Sequence, residues 1–288
     1  MKEILKKIRK FEVKIRTAIN TNMHGNFHSI FKGSGIEFDD VRSYQYGDDV
    51  RSIDWNVSAK GHGTFIKTFH EDKEQHVYFI VDVSASQHIG KQGSQKIDLA
   101  REIASVLALS ASKEASLVSL ICFSDQKERY IKPGRGLNHV YSMISNLYDL
   151  EAKSTKTNLN ASINFAANVI KKKSVVFLIS DFIDENYQNS VRALARKHDL
   201  VVIQITDRRE TVLPRLGIIP VFDKEQKKTV WINTSSFGFR KRTKAKFNET
   251  KIELENICKQ NKANYLQVLT HEDYLAGLIK LFKTRRTK

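Results

Sequence analysis

Cysteine is scarce in this chain. The 288 residues hold two, Cys122 and Cys258, neither at the spacing of a metal-binding pair. Cys122 falls inside an apolar strand, so a buried thiol in a reducing compartment is the expectation. Proline is rarer than usual at 3, and with 41% hydrophobic and 28% charged residues extensive disorder is not expected. No apolar stretch approaches the ~20 residues that span a bilayer. The start, Met1-Lys2-Glu3-Ile4-Leu5-Lys6, lacks the apolar core of a secretion signal, which makes a soluble cytoplasmic protein the expectation. His62 and His88 have no ligand partner at i+3 or i+4, and there is no Gly-x-Ser-x-Gly elbow. The run Gly90-Lys91-Gln92-Gly93-Ser94-Gln95-Lys96 is glycine-rich but fails the phosphate-loop spacing and reads as a loop before a helix.

Negative charge is also short, leaving a net charge of +16. The excess lies in residues 1–17, in Arg240, Lys241, Arg242, Lys244, Lys246 and Lys251, and in the tail from Lys283 to Lys288. Such runs are either solvated faces or surfaces for nucleic acid or anionic lipid. Residues 1–20 read as an amphipathic helix, with Ile4, Ile8, Phe11, Ile15 and Ile19 on one face. It docks either on the main domain or, through residues 1–17, peripherally at the inner face of the membrane.

Residues 21–70 hold six of the thirteen glycines and little apolar periodicity. Between Phe38 and Trp55, acids, arginines and aromatics alternate, which predicts irregular chain pinned by ion pairs around a buried Trp. From residue 64 the pattern changes. Strand signals at 64–70, 77–82, 117–123, 128–132, 175–180 and 200–206 alternate with helical periods at 97–108, 140–147, 159–171 and 188–198. Fully apolar strands alternating with helices predict an α/β fold with a doubly wound, mostly parallel sheet. The run 128–132 follows 117–123 after a short turn and predicts an antiparallel edge strand. A hairpin insertion is expected near 214–234, then a basic helix near 243–261, a strand near 264–269 and a closing helix over 272–283. The division expected is 1–70, a helix and irregular extension, and 71–288, the α/β domain.

The chemistry centres on Asp82-Val83-Ser84-Ala85-Ser86, which closes the apolar strand Val77–Val81. In extended chain, residues i, i+2 and i+4 share a side, so a carboxylate and two hydroxyls converge. These are the hard oxygen donors that Mg²⁺ prefers. Two later segments complete the set. Thr157 precedes a helical run, and Asp181 follows the apolar strand Val175–Ile179. Ends of parallel strands and starts of the following helices share one edge of such a sheet, where ligand crevices form. Turn and cap roles account for each residue singly: Ser84 and Ser86 in a turn, Thr157 or Asn158 at a helix N-terminus, Asp82 and Asp181 in loops.

This Asp-x-Ser-x-Ser, Thr-Asn-Leu and Ser-Asp series resembles the von Willebrand factor A domain. Through its metal-ion-dependent adhesion site the resemblance implies Asp82, Ser84, Ser86, Thr157 and Asp181 as ligands of Mg²⁺, with Mn²⁺ or Ca²⁺ as alternatives. Where that family often has Thr-Asp-Gly, this chain has Ser180-Asp181-Phe182, so its turn is expected to differ. Tyr46-Gly47-Asp48-Asp49-Val50-Arg51-Ser52-Ile53-Asp54-Trp55 resembles the signature of the bacterial domain-of-unknown-function-58 family. That family's members are commonly encoded beside MoxR-type AAA+ ATPases, which implies such a partner. A metal held mainly by hydroxyls stays electrophilic, so an Asp or Glu of another protein can complete its shell.

The function expected is thus a non-enzymatic, metal-dependent protein-interaction module, acting with a MoxR-type ATPase on an acidic client. Two other classes compete. A nucleic-acid or membrane-surface binder would use the basic clusters, with Trp231, Phe237, Phe239 and Phe247 available to stack on bases. A metal-dependent hydrolase is weaker: a haloacid-dehalogenase-type phosphatase needs a second Asp where this chain has Ser84.

Overall fold

The computed structural model describes residues 36–61, 63–71, 75–91, 93–211, 215–223 and 228–286. The amphipathic helix expected over 1–20 lies outside the described residues. The chain divides into a small unit over 32–75 and a larger one containing 76–288.

The small unit is built on two antiparallel strands, β1 (Ile36–Ser43) and β2 (Phe65–Glu71), whose register slips between Phe38 and Asp40. The sequence predicts irregular chain over part of β1, because acidic residues are poor strand formers. Pairing along β2 overrides that preference, and the slip absorbs the extra residue. The expected ion pairs are present. Arg42 donates from both terminal nitrogens to Asp48, at 2.7 and 2.9 Å, and this pairing holds the Asp48 carboxyl below its usual range. Gly47 makes the turn between them at φ 106°, a conformation open to glycine. Asp49 accepts from the Arg51 amide, and Asp54 caps α1 (Trp55–Ser58) by accepting from the amides of Asn56 and Val57. Each acid of the Gly-Asp-Asp…Ile-Asp-Trp string thus has a local structural role. The Trp does not follow expectation. Trp55 is 67% exposed, because a single helical turn buries little, whereas Ile66 on β2 is buried.

The large unit is a three-layer α/β structure. Its sheet has the order β12-β9-β8-β3-β6-β7, counting β3 (His76–Asp82), β6 (Leu117–Phe123), β7 (Lys127–Gly134), β8 (Val175–Ser180), β9 (Asp199–Thr206) and β12 (Asn264–Leu269). All neighbours are parallel except β7, the predicted antiparallel edge. Helices cover both faces, which is why the central strands read as unbroken apolar runs. On one side Phe79, Val81 and Phe177 pack against α2 (Lys96–Lys113), α3 (Gly136–Tyr148) and α8 (Tyr274–Arg286). On the other, Ile80, Leu178 and Val202 meet α4 (Leu159–Val169), α5 (Gln188–Lys197) and α7 (Phe237–Gln260). Phe79 and Phe177 stack at 5.2 Å on adjacent strands. Each fully buried side chain of this kind contributes about 1.5–3 kcal/mol. Both cysteines are buried free thiols, one in each layer, and burial raises each pKa to about 12.

The hairpin expected near 214–234 is β10 (Ile218–Asp223) and β11 (Lys228–Asn233), antiparallel and in register from Ile218↔Asn233 to Asp223↔Lys228. Two short strands, β4 (Gly90–Lys91) and β5 (Ser94–Gln95), form a second small hairpin in the glycine-rich loop. The single-turn helix α6 (Arg208–Thr211) follows β9.

Chain order fixes where a ligand crevice falls. From β3 the chain crosses through α2 to β6 on one side, whereas from β8 it crosses through α5 to β9 on the other. β3 and β8 are neighbours whose outgoing connections diverge, and that divergence opens a gap beyond their C-terminal ends. Asp82 ends β3 and Asp181 follows β8.

Candidate metal centre at the sheet rim

Asp82 is fully buried. Its Oδ1 accepts from the Ser84 amide at 2.9 Å, and its Oδ2 accepts from Ser180 Oγ at 2.7 Å and Gln87 Nε2 at 3.3 Å. Burial, reinforced by the nearby charge of Asp181, pushes its pKa to about 7 against these bonds. The chain does not stay extended after Asp82, as the i, i+2, i+4 reading supposed. Ser84 is the N-cap of a 3₁₀ turn over Ala85–His88, and this turn brings Ser84 Oγ and Ser86 Oγ to 3.0 Å. The hydroxyls converge by a turn instead of by strand periodicity.

Thr157 lies on the loop between α3 and α4. That loop joins the rim through the Thr155 carbonyl, which accepts from the Ala85 amide at 3.2 Å, and through the Asn158 amide, which donates to the Ser124 carbonyl at 3.1 Å. Glu128 on β7 fixes the loop's start, accepting from the amides of Lys153 and Ser154 and from Ser124 Oγ. Burial alone would raise the Glu128 pKa; these donors more than offset it and leave the pKa lowered. Asn158 caps α4 through its side chain, so the cap role anticipated for Thr157 or Asn158 belongs to Asn158.

Asp181 Oδ1 accepts from the Ile183 amide at 3.1 Å. Phe182 adopts φ 58°, the left-handed conformation a glycine would take there. The turn therefore has a glycine-like backbone despite the Phe. Burial of that ring, 5.6 Å from the ring of Tyr187, offsets the strain.

Sequence reasoning missed the group that faces Asp181. Lys96, the first residue of α2, is wholly buried and donates from Nζ to Asp181 Oδ2 at 2.6 Å and to Glu210 Oε1 on α6. Burial lowers a lysine's pKa, but the charges of Asp181 and Glu210 reverse that here and leave Lys96 raised. One clue was available: lysine opening an apolar helix sits at the positive end of the macrodipole, an unfavourable place for a cation.

The rim therefore brings Asp82, Ser84 and Ser86 into direct contact, sets the Thr157 loop beside them, and presents Asp181 across the β3–β8 gap. Among the described residues no group of three or more His, Cys, Asp or Glu is placed to hold a metal. The candidate set accordingly leans on hydroxyls. The Ser84 and Ser86 hydroxyls are hydrogen-bonded to each other at 3.0 Å, a separation that two cis ligands of an octahedral Mg²⁺, about 3.0 Å apart, would also keep. Beside Asp181 runs a groove of about 760 Å³ lined by Phe182, Ile183, Phe239, Arg242, Lys246 and Phe247, among others.

Comparison with known proteins agrees with this architecture. The chain is 25% identical over 221 residues to uncharacterized proteins of Mycobacterium bovis and Mycobacterium tuberculosis, covering 76% of this chain and 70% of each relative. The crystal structure of BatB, a conserved hypothetical protein of Bacteroides thetaiotaomicron, matches with TM-score 0.50 at 12% identity, over 74% of this chain and 100% of its own. The SpRpn10 VWA domain matches with TM-score 0.37 at 10% identity, over 72% of this chain and 94% of its own. The likeness to BatB shows a shared α/β fold with a mostly parallel central sheet. With the family's sequence model matching residues 40–253, from the acid-rich string through the rim to most of α7, the chain belongs to the proteins of unknown function DUF58.

Proposed function

We propose that this chain is a non-enzymatic, metal-dependent protein-interaction module, with Ser84, Ser86 and Thr157 as hydroxyl ligands of Mg²⁺ and Asp82 and Asp181 in or just behind the first shell. The observation that carries this reading is the pair of hydroxyls 3.0 Å apart at the crevice between β3 and β8, with Asp82 buried behind them and Asp181 across the gap. When bound, the cation supplies a Lewis-acidic position for a carboxylate from another protein. The chain's own residues do the rest. Asp82 orients the Ser84 loop through its amide, and Glu128 holds the Thr157 loop. The groove beside Asp181 offers apolar side chains together with Arg242 and Lys246, both suited to an acidic partner segment.

On this reading the partner is a MoxR-type AAA+ ATPase, or an acidic client delivered by it, and the protein works in the cytoplasm. Calorimetry with Mg²⁺ or Mn²⁺ tests the site: Ser84→Ala should lose at least ~tenfold in affinity, since one direct ligand disappears. Equal binding by Ser84→Ala and wild type would remove these residues from the site. Co-purification with the ATPase, with and without chelator, tests the partner, and equal recovery in both would remove the metal bridge.

A second reading has one observation behind it. Lys241, Arg242, Lys244 and Lys246 are exposed on α7, and Trp231 of β11 and Phe237 are 69% and 81% exposed. A nucleic-acid surface built from these would lose affinity steeply with salt, and charge-reversal at Lys244 would flatten that slope.

A further inference from the structure

We propose that Lys96 is a resident cation of this rim, holding Asp181 in the place of a divalent ion and yielding it when the ion binds, so that Lys96 sets how weakly the site takes metal. The inference rests on the metal reading above and deepens it.

Lys96 has no local reason to be where it is. It starts a helix, where the backbone dipole repels a cation, and its long side chain is wholly buried. What holds it comes from far along the chain. Asp181 lies 85 residues on, after β8, and Glu210 lies 114 residues on, after β9. The ammonium thus ties α2 to the turn after β8 and to α6 after β9. It also occupies Asp181 Oδ2, while the Ile183 amide occupies Oδ1. A cation seated against Ser84 and Ser86 must therefore share the Asp181 charge with Lys96 or displace it. Sharing sets the ammonium and the divalent ion against one carboxylate in a buried place, where their repulsion is poorly screened, and displacement costs Lys96 its bond to Asp181.

The charge balance points the same way. Asp82, Asp181 and Glu210 carry three negative charges when ionised, and Lys96 returns one. The remainder of two is what a single divalent ion neutralises. Without Lys96 the same pocket would hold three negative charges when ionised and lose the cation that pairs Asp181 and Glu210. With it, the rim keeps its shape either way, and metal binding can be weak and reversible. A simple structural staple would join the same three elements but leave metal affinity untouched, and that difference can be measured.

The test is Mn²⁺ calorimetry on wild type, on Ser84→Ala, and on the charge-balanced double variant Lys96→Met with Glu210→Gln, which frees Asp181 without changing net charge. The double variant should bind Mn²⁺ about tenfold more tightly or better, and its melting temperature should rise more on adding metal than that of wild type. A second measurement needs no variant: in ¹⁵N-lysine-labelled wild type, the buried Lys96 ammonium resonance should move or exchange faster as Mg²⁺ is added. Unchanged or weaker binding by the double variant, with Ser84→Ala still losing affinity, makes Lys96 a staple and leaves the metal reading standing. An immobile Lys96 resonance at saturating Mg²⁺ also overturns the proposal, even if the double variant fails to fold. No binding by any of the three proteins overturns both.

Discussion

Replacing Asp82 by Asn should stabilise the metal-free protein at alkaline pH and leave it nearly unchanged in acid. Asp82 is completely buried, and burial together with the Asp181 charge raises its pKa from 3.8 to about 7. The folded chain therefore keeps a proton that the unfolded chain releases between about pH 4 and 7. Stability from this group is fully present below about pH 4, declines as pH rises, and is gone once pH passes about 7. At 1.36 kcal/mol per pH unit over that interval, the ceiling is ~4 kcal/mol. Relaxation around the carboxylate should reduce the measured value to about 1–3 kcal/mol.

Asn fits the same space and hydrogen bonds. Its oxygen can accept from the Ser84 amide as Oδ1 does, and its amide can donate to Ser180 Oγ. The Gln87 Oε1 atom, buried without a partner in the wild type, becomes an acceptor for that amide once the Gln87 side chain flips. Urea unfolding in chelator, followed by circular dichroism across about pH 4 to 8, measures the difference. The gap between variant and wild type should open between pH 4 and 7 and then stay flat. A gap that is the same at every pH, or a variant less stable than wild type at pH 8, would refute the assignment of Asp82 as a buried acid held near neutrality.

Two other substitutions probe the loops that frame the crevice. Phe182→Gly should cost about 2–4 kcal/mol, because the lost ring outweighs the relief of its left-handed backbone. Phe182→Ala should be about 1 kcal/mol worse still, inverting the usual order of the two residues. Thermal or urea unfolding that ranks Ala above Gly would show that the φ of 58° stores no strain. Glu128→Gln should cost about 1–2 kcal/mol through weaker bonds to the Lys153 and Ser154 amides, with faster amide hydrogen exchange confined to residues 151–158. Because the Glu128 pKa is lowered in the fold, its contribution exists above the ordinary glutamate range and is lost as pH falls through the folded value. A cost that persists unchanged in acid would mean that Glu128 acts by packing and not by charge.

The parts of this molecule that the sequence made legible are those ruled by burial and spacing. The strands β3, β6, β8 and β9 announce themselves because both their faces are covered, and the antiparallel β7 follows from the short turn before it. Asp82, Ser84 and Ser86 can be found because they sit where such a strand ends, although the 3₁₀ turn that brings the hydroxyls together is not written in their alternation. The strand β1 was hidden by its acids, and Trp55 was misjudged because a large aromatic next to a helix cap looks like a core residue. Lys96 and Glu210 could not be paired from sequence. Their contact spans 114 residues, and each alone reads as an ordinary surface charge. Glu128, which holds the Thr157 loop, was lost for the same reason.

The rim collects choices that stability alone would not favour. Asp82 is a carboxyl buried without a neutralising partner, and Gln87 next to it leaves an oxygen unbonded. Phe182 carries a β-carbon in the left-handed region, and Lys96 places a buried cation at a helix N-terminus. Each costs of order 1–3 kcal/mol. Away from this rim the large unit is built mainly of apolar layers, with scattered compromises such as the buried His198 ring, whose two nitrogens lack partners, and Ala115 at φ 56°. Four such conflicts on neighbouring segments of one rim mark a place shaped by something other than folding. The same reasoning makes the rim a place where gains in stability should come at the expense of binding. Asp82→Asn, the variant expected to fold more firmly without metal, should accordingly be among the poorest at holding Mg²⁺, and an Asp82→Asn protein that gains stability while binding Mg²⁺ as wild type does would break the link between the two.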